Sequence, residues 1–174
     1  STCASSPTIA LTDGQMYSTI WTSVYRWEVA MVEEIVEMLG GKKVLGKLPT
    51  GKLALADAIE EGLPFRALEH LKAALGLSDL EAANNLGISQ KTISRMRKTP
   101  RKRMGKVPSD RLVRLAHLYA QAVEVLEDKD AARDWLKSPQ VGLNNRVPLD
   151  LADTEVGARE VVSLLGRIEH GVIS

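Results

Sequence analysis

Residues 78–98 read Ser78-Asp79-Leu80-Glu81-Ala82-Ala83-Asn84-Asn85-Leu86-Gly87-Ile88-Ser89-Gln90-Lys91-Thr92-Ile93-Ser94-Arg95-Met96-Arg97-Lys98. The stretch predicts a short helix ending at Leu86, a tight turn over Gly87-Ile88-Ser89, and a second helix from Gln90 to Lys98. Helices joined by so few residues must cross steeply, and four residue choices suit that crossing. Ala83 is small where the helices approach, Gly87 supplies a positive φ, Ile88 plugs the corner, and Ile93 packs back from the second helix. Ser89 is a good N-cap for that helix, because its hydroxyl can accept a free backbone N–H of the first turn. Residues 79–98 therefore predict a helix-turn-helix. Its second helix would turn Ile93 and Met96 inward and Gln90, Lys91, Ser94 and Arg95 outward, the positions that enter the major groove in this motif. Glutamine suits an adenine edge and arginine a guanine edge.

The charge around this segment agrees. The whole chain of 174 residues carries a net charge of only +1. Residues 91–114 nevertheless hold ten bases and one acid, Asp110, whereas the rest holds thirteen bases and twenty-one acids. Such a layout suits a protein that meets a polyanion with one face. Arg97, Lys98, Arg101, Lys102 and Arg103 are expected to hold phosphates, giving affinity without sequence information. The alternatives are a solvated charged loop and a helix-turn-helix kept only for packing.

Outward from the motif the pattern stays helical, and strand signals are almost absent, so the chain predicts an all-α fold. Phe65, Leu68, Leu71 and Leu75 form a stripe between Pro64 and Gly76, a helix start and stop. Pro49, Gly51 and Gly62-Leu63-Pro64 punctuate shorter pieces such as Leu53 to Glu60. Upstream, Tyr17, Trp21 and Tyr25 are four apart, on a helix expected to run through Met31, Ile35 and Leu39 to Gly40-Gly41. Downstream, Leu112, Leu115, Tyr119, Ala122 and Leu126 make a seam that either fills the core or faces a second subunit. Ala131, Ala132, Trp135 and Leu136 form a second stripe, residues 141–148 a loop, and Thr154 caps a last helix with an apolar face of Ala158, Val161, Val162, Leu165 and Ile168. Gly157 and Gly166 inside that helix suggest close approach by another group. The expected divisions are a flexible start at 1–16, a helical segment at 17–61, a DNA-binding domain at 62–107 and a C-terminal domain at 108–174.

Other functions find little support. A single cysteine, Cys3, offers no disulfide framework. His70, His117 and His170 stand apart without metal-ligand spacing, and there is no glycine-rich phosphate loop, so neither an enzyme nor a metal or cofactor site is expected. No apolar run approaches the roughly 20 residues of a membrane span, and no export signal is evident, which points to the cytoplasm.

From about Leu39 to Ser174 the sequence resembles the Xre-type antitoxins partnered with RES-domain toxins, a group that includes the ParS- and MbcA-like antitoxins. The resemblance is carried by Leu39-Gly40-Gly41-Lys42-Lys43-Val44-Leu45-Gly46, by Gly62-Leu63-Pro64 and by the helix-turn-helix. Most specific is the C-terminal string of Trp135-Leu136-Lys137-Ser138-Pro139, Pro148-Leu149-Asp150-Leu151, Thr154-Glu155-Val156-Gly157 and Leu165-Gly166-Arg167-Ile168-Glu169-His170-Gly171-Val172. Asn145 stands where the family usually has glycine, a change a left-handed turn tolerates. The aromatic segment at 17–27 lies outside the family pattern.

The resemblance implies an antitoxin that neutralises an NAD-consuming toxin by occluding its active site, and that binds operator DNA to regulate its own transcription. Arg167, His170, Gly171, Val172 and Ser174 would then lie at the toxin pocket. A homodimer is expected, because one short recognition helix seldom supplies nanomolar specificity alone. The alternative is a dimeric transcription regulator with no toxin partner, its C-terminal domain serving only to dimerise.

Overall fold

The glycines and prolines that punctuate the sequence set most of the helix ends. The structure, a computed structural model, describes residues 30–99 and 102–171. The expected loose start, the aromatic stripe of Tyr17, Trp21 and Tyr25, and the candidate residues Arg101, Val172 and Ser174 lie outside the described residues.

The described chain is all-α. Helix α1 spans residues 30–38, and Val32, Ile35, Val36 and Leu39 are buried along its inner side. It ends at Gly40, held at a φ of 97°. Then come α2 (Gly41–Leu45), α3 (Lys52–Glu61), α4 (Phe65–Leu75), α5 (Asp79–Leu86), α6 (Gln90–Arg97) and α7 (Lys106–Leu126). After α8 (Lys129–Lys137), a 3-10 turn at Val141–Leu143 and the short α9 (Pro148–Leu151) lead into α10 (Glu155–Glu169). Two isolated bridges, Pro64 with Arg103 and Gln140 with Arg146, are the β-like pairings among the described residues.

The long helix α7 organises the packing, touching α3, α4, α5, α8 and α10. Its seam residues Leu112, Leu115, Tyr119 and Ala122 are buried inside this chain, and Leu126 packs against the same cluster. That settles the choice left open by the spacing: the seam fills the core and cannot also be the face of a dimer. Helix α7 also runs unbroken across position 108, so the helix-turn-helix and the C-terminal helices share one hydrophobic cluster.

Gly62-Leu63-Pro64 has a structural task. Leu63 accepts a hydrogen bond from Met104 N (2.8 Å), Phe65 N donates to Lys102 O (3.1 Å), and Leu63 N donates to the buried hydroxyl of Ser109 (2.8 Å). A side chain at Gly62 would collide with the Met104 carbonyl oxygen, so the segment can lie against 102–104 only as glycine. In the loop before α9, Asn144 and Asn145 hold φ values of 55° and 59°, the left-handed geometry that asparagine was expected to accept.

The two glycines of α10 differ. At Gly157 a Cβ would meet the Leu151 carbonyl oxygen and lie 2.9 Å from Thr154 Oγ1, which is the expected close approach, made within the chain. At Gly166 nothing lies within 4 Å, and the expected close neighbour is absent among the described residues.

Candidate functional site

Helices α5 and α6 are each fixed at the N-terminus by a side-chain cap. Ser78 and Glu81 form a reciprocal box: Glu81 N donates to Ser78 Oγ (3.2 Å) and Ser78 N to Glu81 Oε2 (2.7 Å). Hydrogen bonds from the Ser78 backbone N–H first, then from its hydroxyl, hold the Glu81 carboxyl below its ordinary range. Ser89 accepts from Thr92 N (3.1 Å), as expected of the N-cap of α6. Between the caps Gly87 sits at a φ of 65°, and Ile88 N donates to Ala83 O (3.0 Å), closing α5. Ala83, Ile93 and Met96 are buried, and Ile88 packs against the core. This is the predicted crossing.

The turn exposes Gln90, Lys91, Ser94, Arg95 and Lys98 together along α6. Arg97 is placed differently. Its guanidinium grips Asp79 through two hydrogen bonds (3.0 and 2.8 Å) and also reaches Glu69 (3.2 Å), while Lys72 contacts the same Asp79. Hydrogen bonds from Arg97 first, then Lys72, hold the Asp79 carboxyl far below its usual range, and the carboxylates push Arg97 upward. Arg97 thus ties the end of α6 to α4 and α5.

The same sorting divides the rest of the basic stretch. Arg103 bonds Glu61 and the Gly62 carbonyl, Lys106 pairs with Glu60, and Arg114 bridges Asp110, the carbonyls of Ala152 and Asp153, and Glu155. Lys91, Arg95, Lys98, Lys102 and Arg111 make no ion pair among the described residues. Arg111 escaped the sequence reading, because nothing in its spacing separates it from its paired neighbour Arg114.

At the other end of the chain, Thr154 Oγ1 accepts from Gly157 N (3.1 Å) to cap α10. Ala158, Val161 and Leu165 are buried along its inner face, with Val162 and Ile168 half-buried. Beyond them the helix end opens to solvent from Glu169 onward. Among the described residues Arg167 bonds Ser163 of its own helix (3.2 Å), and His170 and Gly171 are exposed, with Gly171 at a φ of 67°. The structure therefore groups Arg167, His170 and Gly171 on one exposed helix end. Elsewhere in the same domain two valines are strongly exposed, Val141 at 84% and Val156, at the start of α10, at 73%.

The described residues offer no group of three or more His, Cys, Asp or Glu able to hold a metal. None of the described helices is long and apolar enough to cross a membrane.

Comparison with known proteins now bears on both surfaces. Residues 54–117 match the antitoxin Xre-like helix-turn-helix domain, and residues 121–171 match the antitoxin Xre/MbcA/ParS C-terminal toxin-binding domain. An antitoxin Xre of Yersinia enterocolitica is 33% identical over 121 residues, covering 69% of this chain and 81% of the relative. An antitoxin Xre of Photorhabdus laumondii is 34% identical over 119 residues, covering 67% and 78%. The chain belongs to the Xre antitoxin family. Its helix-turn-helix is the family's, its last helices form the family's toxin-binding domain, and the family is one of antitoxins and not of enzymes.

Proposed function

We propose that this Xre antitoxin neutralises a RES-domain toxin that degrades NAD, occluding the toxin's active site with the end of α10, and that it regulates its own transcription by binding operator DNA through α6. Arg167, His170 and Gly171, with Val172 and Ser174 beyond the described residues, are the proposed toxin contacts. The observation that carries this half of the reading is the exposed end of α10, where Glu169, His170 and Gly171 face solvent and are free to enter a concave site. On the DNA side, Gln90, Lys91, Ser94 and Arg95 are the proposed base readers, with Lys98, Arg101 and Lys102 on phosphates. Binding would occur as a dimer or larger assembly, in the cytoplasm, with paired half-sites about one helical turn apart.

Co-expression of the chain with the product of the adjacent reading frame tests the toxin assignment. The expected result is that cellular NAD collapses when the neighbour is expressed alone and is preserved when the two are expressed together and co-purify. A neighbour that leaves NAD untouched, or that does not bind the chain, would remove the RES assignment.

A further inference from the structure

We infer that Arg111, on α7, is a backbone-phosphate contact that seats the N-terminus of α6 against DNA. The inference rests on the reading of α6 as the recognition helix and adds a residue from a different helix to that surface.

Three observations support it. First, the Arg111 guanidinium lies over the turn of the helix-turn-helix. A Cβ at Gly87 would collide with Arg111 Nη1 and come within 3.0 Å of its Cζ. Gly87 therefore does two things: it adopts the left-handed turn, and it leaves room for an arginine head on the turn. Second, that head has no ion pair or hydrogen bond with any other group among the described residues. The adjacent carboxylate, Asp110, is committed to Arg114 Nη2 at 2.6 Å. Arg111 is partly buried as a residue, and its guanidinium, open to solvent and without a protein partner among the described residues, contrasts with Arg97, Arg103 and Arg114, each of which is held by acids or carbonyls. Third, position fits. Gly87 precedes Gln90 by three residues, so their Cα atoms are at most about 11 Å apart. With Gln90 at the bases of a major groove about 12 Å wide, a group over Gly87 falls at the groove's edge, where the phosphates run. Arginine presents a planar fork of donors suited to phosphate oxygens. Because α7 is the most heavily packed helix of the core, a phosphate held there would fix the recognition helix through the rigid centre of the molecule.

The test measures binding of the full chain to a labelled duplex of the sequence upstream of its own reading frame, and to a scrambled duplex of equal length, from about 50 to 200 mM salt. Arg111→Gln should lower affinity for both duplexes by about fivefold near physiological salt and reduce the salt slope by about 0.9, the signature of one lost phosphate contact. Arg111→Lys should retain the slope. Gly87→Asn, which keeps the left-handed turn but evicts the guanidinium, should reduce the slope although Arg111 is still present. Thermal melts check that all three variants fold like the parent. An unchanged slope in Arg111→Gln, with the parent binding DNA, overturns the inference and leaves the α6 reading intact. If the parent binds neither duplex, both fall together.

Discussion

The helix-turn-helix and the toxin-binding helices are built around similar small residues yet hold their surfaces in different ways. At the turn, the obstacle to a side chain on Gly87 is the flexible end of Arg111. At the start of α10, the obstacle on Gly157 is backbone, the Leu151 carbonyl. The first region presents cations, sorted into those tied to acids and those left for a polyanion. The second presents exposed valines and a helix end. The lesson is that the helix-turn-helix face is distinguished by which cations are left unpaired among the described residues, whereas the toxin-binding domain is distinguished by a close backbone junction at the start of α10.

Breaking that junction should have the largest effect. Gly157→Val forces either α9 or α10 to move, at a cost toward the upper end of the roughly 1–3 kcal/mol typical of overpacking, because backbone cannot give way as a side chain does. The expected outcome is a lower melting temperature and lost toxin binding. A variant that melts like the parent would show that the junction is not rigid.

The base readers come next. Arg95→Ala should lose roughly 1–3 kcal/mol of discrimination between operator and random DNA, whereas Lys102→Ala should weaken both alike. Equal losses on both duplexes from Arg95→Ala would remove it from the groove.

The smallest effect concerns His117, on α7 between the two regions. Burial lowers its pKa from the ordinary 6.5, against the opposing pull of Glu155. The unfolded chain then takes up its proton first, so this contribution is complete above about pH 6.5 and is lost as pH falls toward the lower folded value. Urea midpoints between about pH 7.5 and 5.5 should fall more steeply for the parent than for His117→Gln. Parallel profiles would contradict the burial argument.

How far the sequence anticipated these features follows the same divide. Gly87, Ser89 and Ile93 act within a few residues of their partners, so spacing alone revealed the turn and the cap of α6. The left-handed turn at Asn145 was legible through the family resemblance, since asparagine there replaces the family's glycine and tolerates that backbone. The Arg97 brace was not, because Asp79 and Glu69 stand 18 and 28 residues away and only folding brings them to one guanidinium. The role of the seam at Leu112, Leu115 and Tyr119 was equally hidden, since a/d spacing serves a core and a subunit interface alike. Among the described residues Gly166 meets no close neighbour, so the sequence reading that grouped it with Gly157 is matched by the structure only at Gly157.

The central claim is that one chain carries two separable binding surfaces, and deleting residues 167–174 tests it most directly. The deletion removes the end of α10 and, from the apolar face, only the half-buried Ile168, so its cost to folding should stay below the roughly 1.5–3 kcal/mol of a fully buried aliphatic side chain. The truncated chain should melt cooperatively and bind operator DNA as the parent does, yet fail to protect NAD from the co-expressed toxin. A folded truncated chain that still neutralises the toxin fully would contradict the account and move inhibition to another part of the toxin-binding domain.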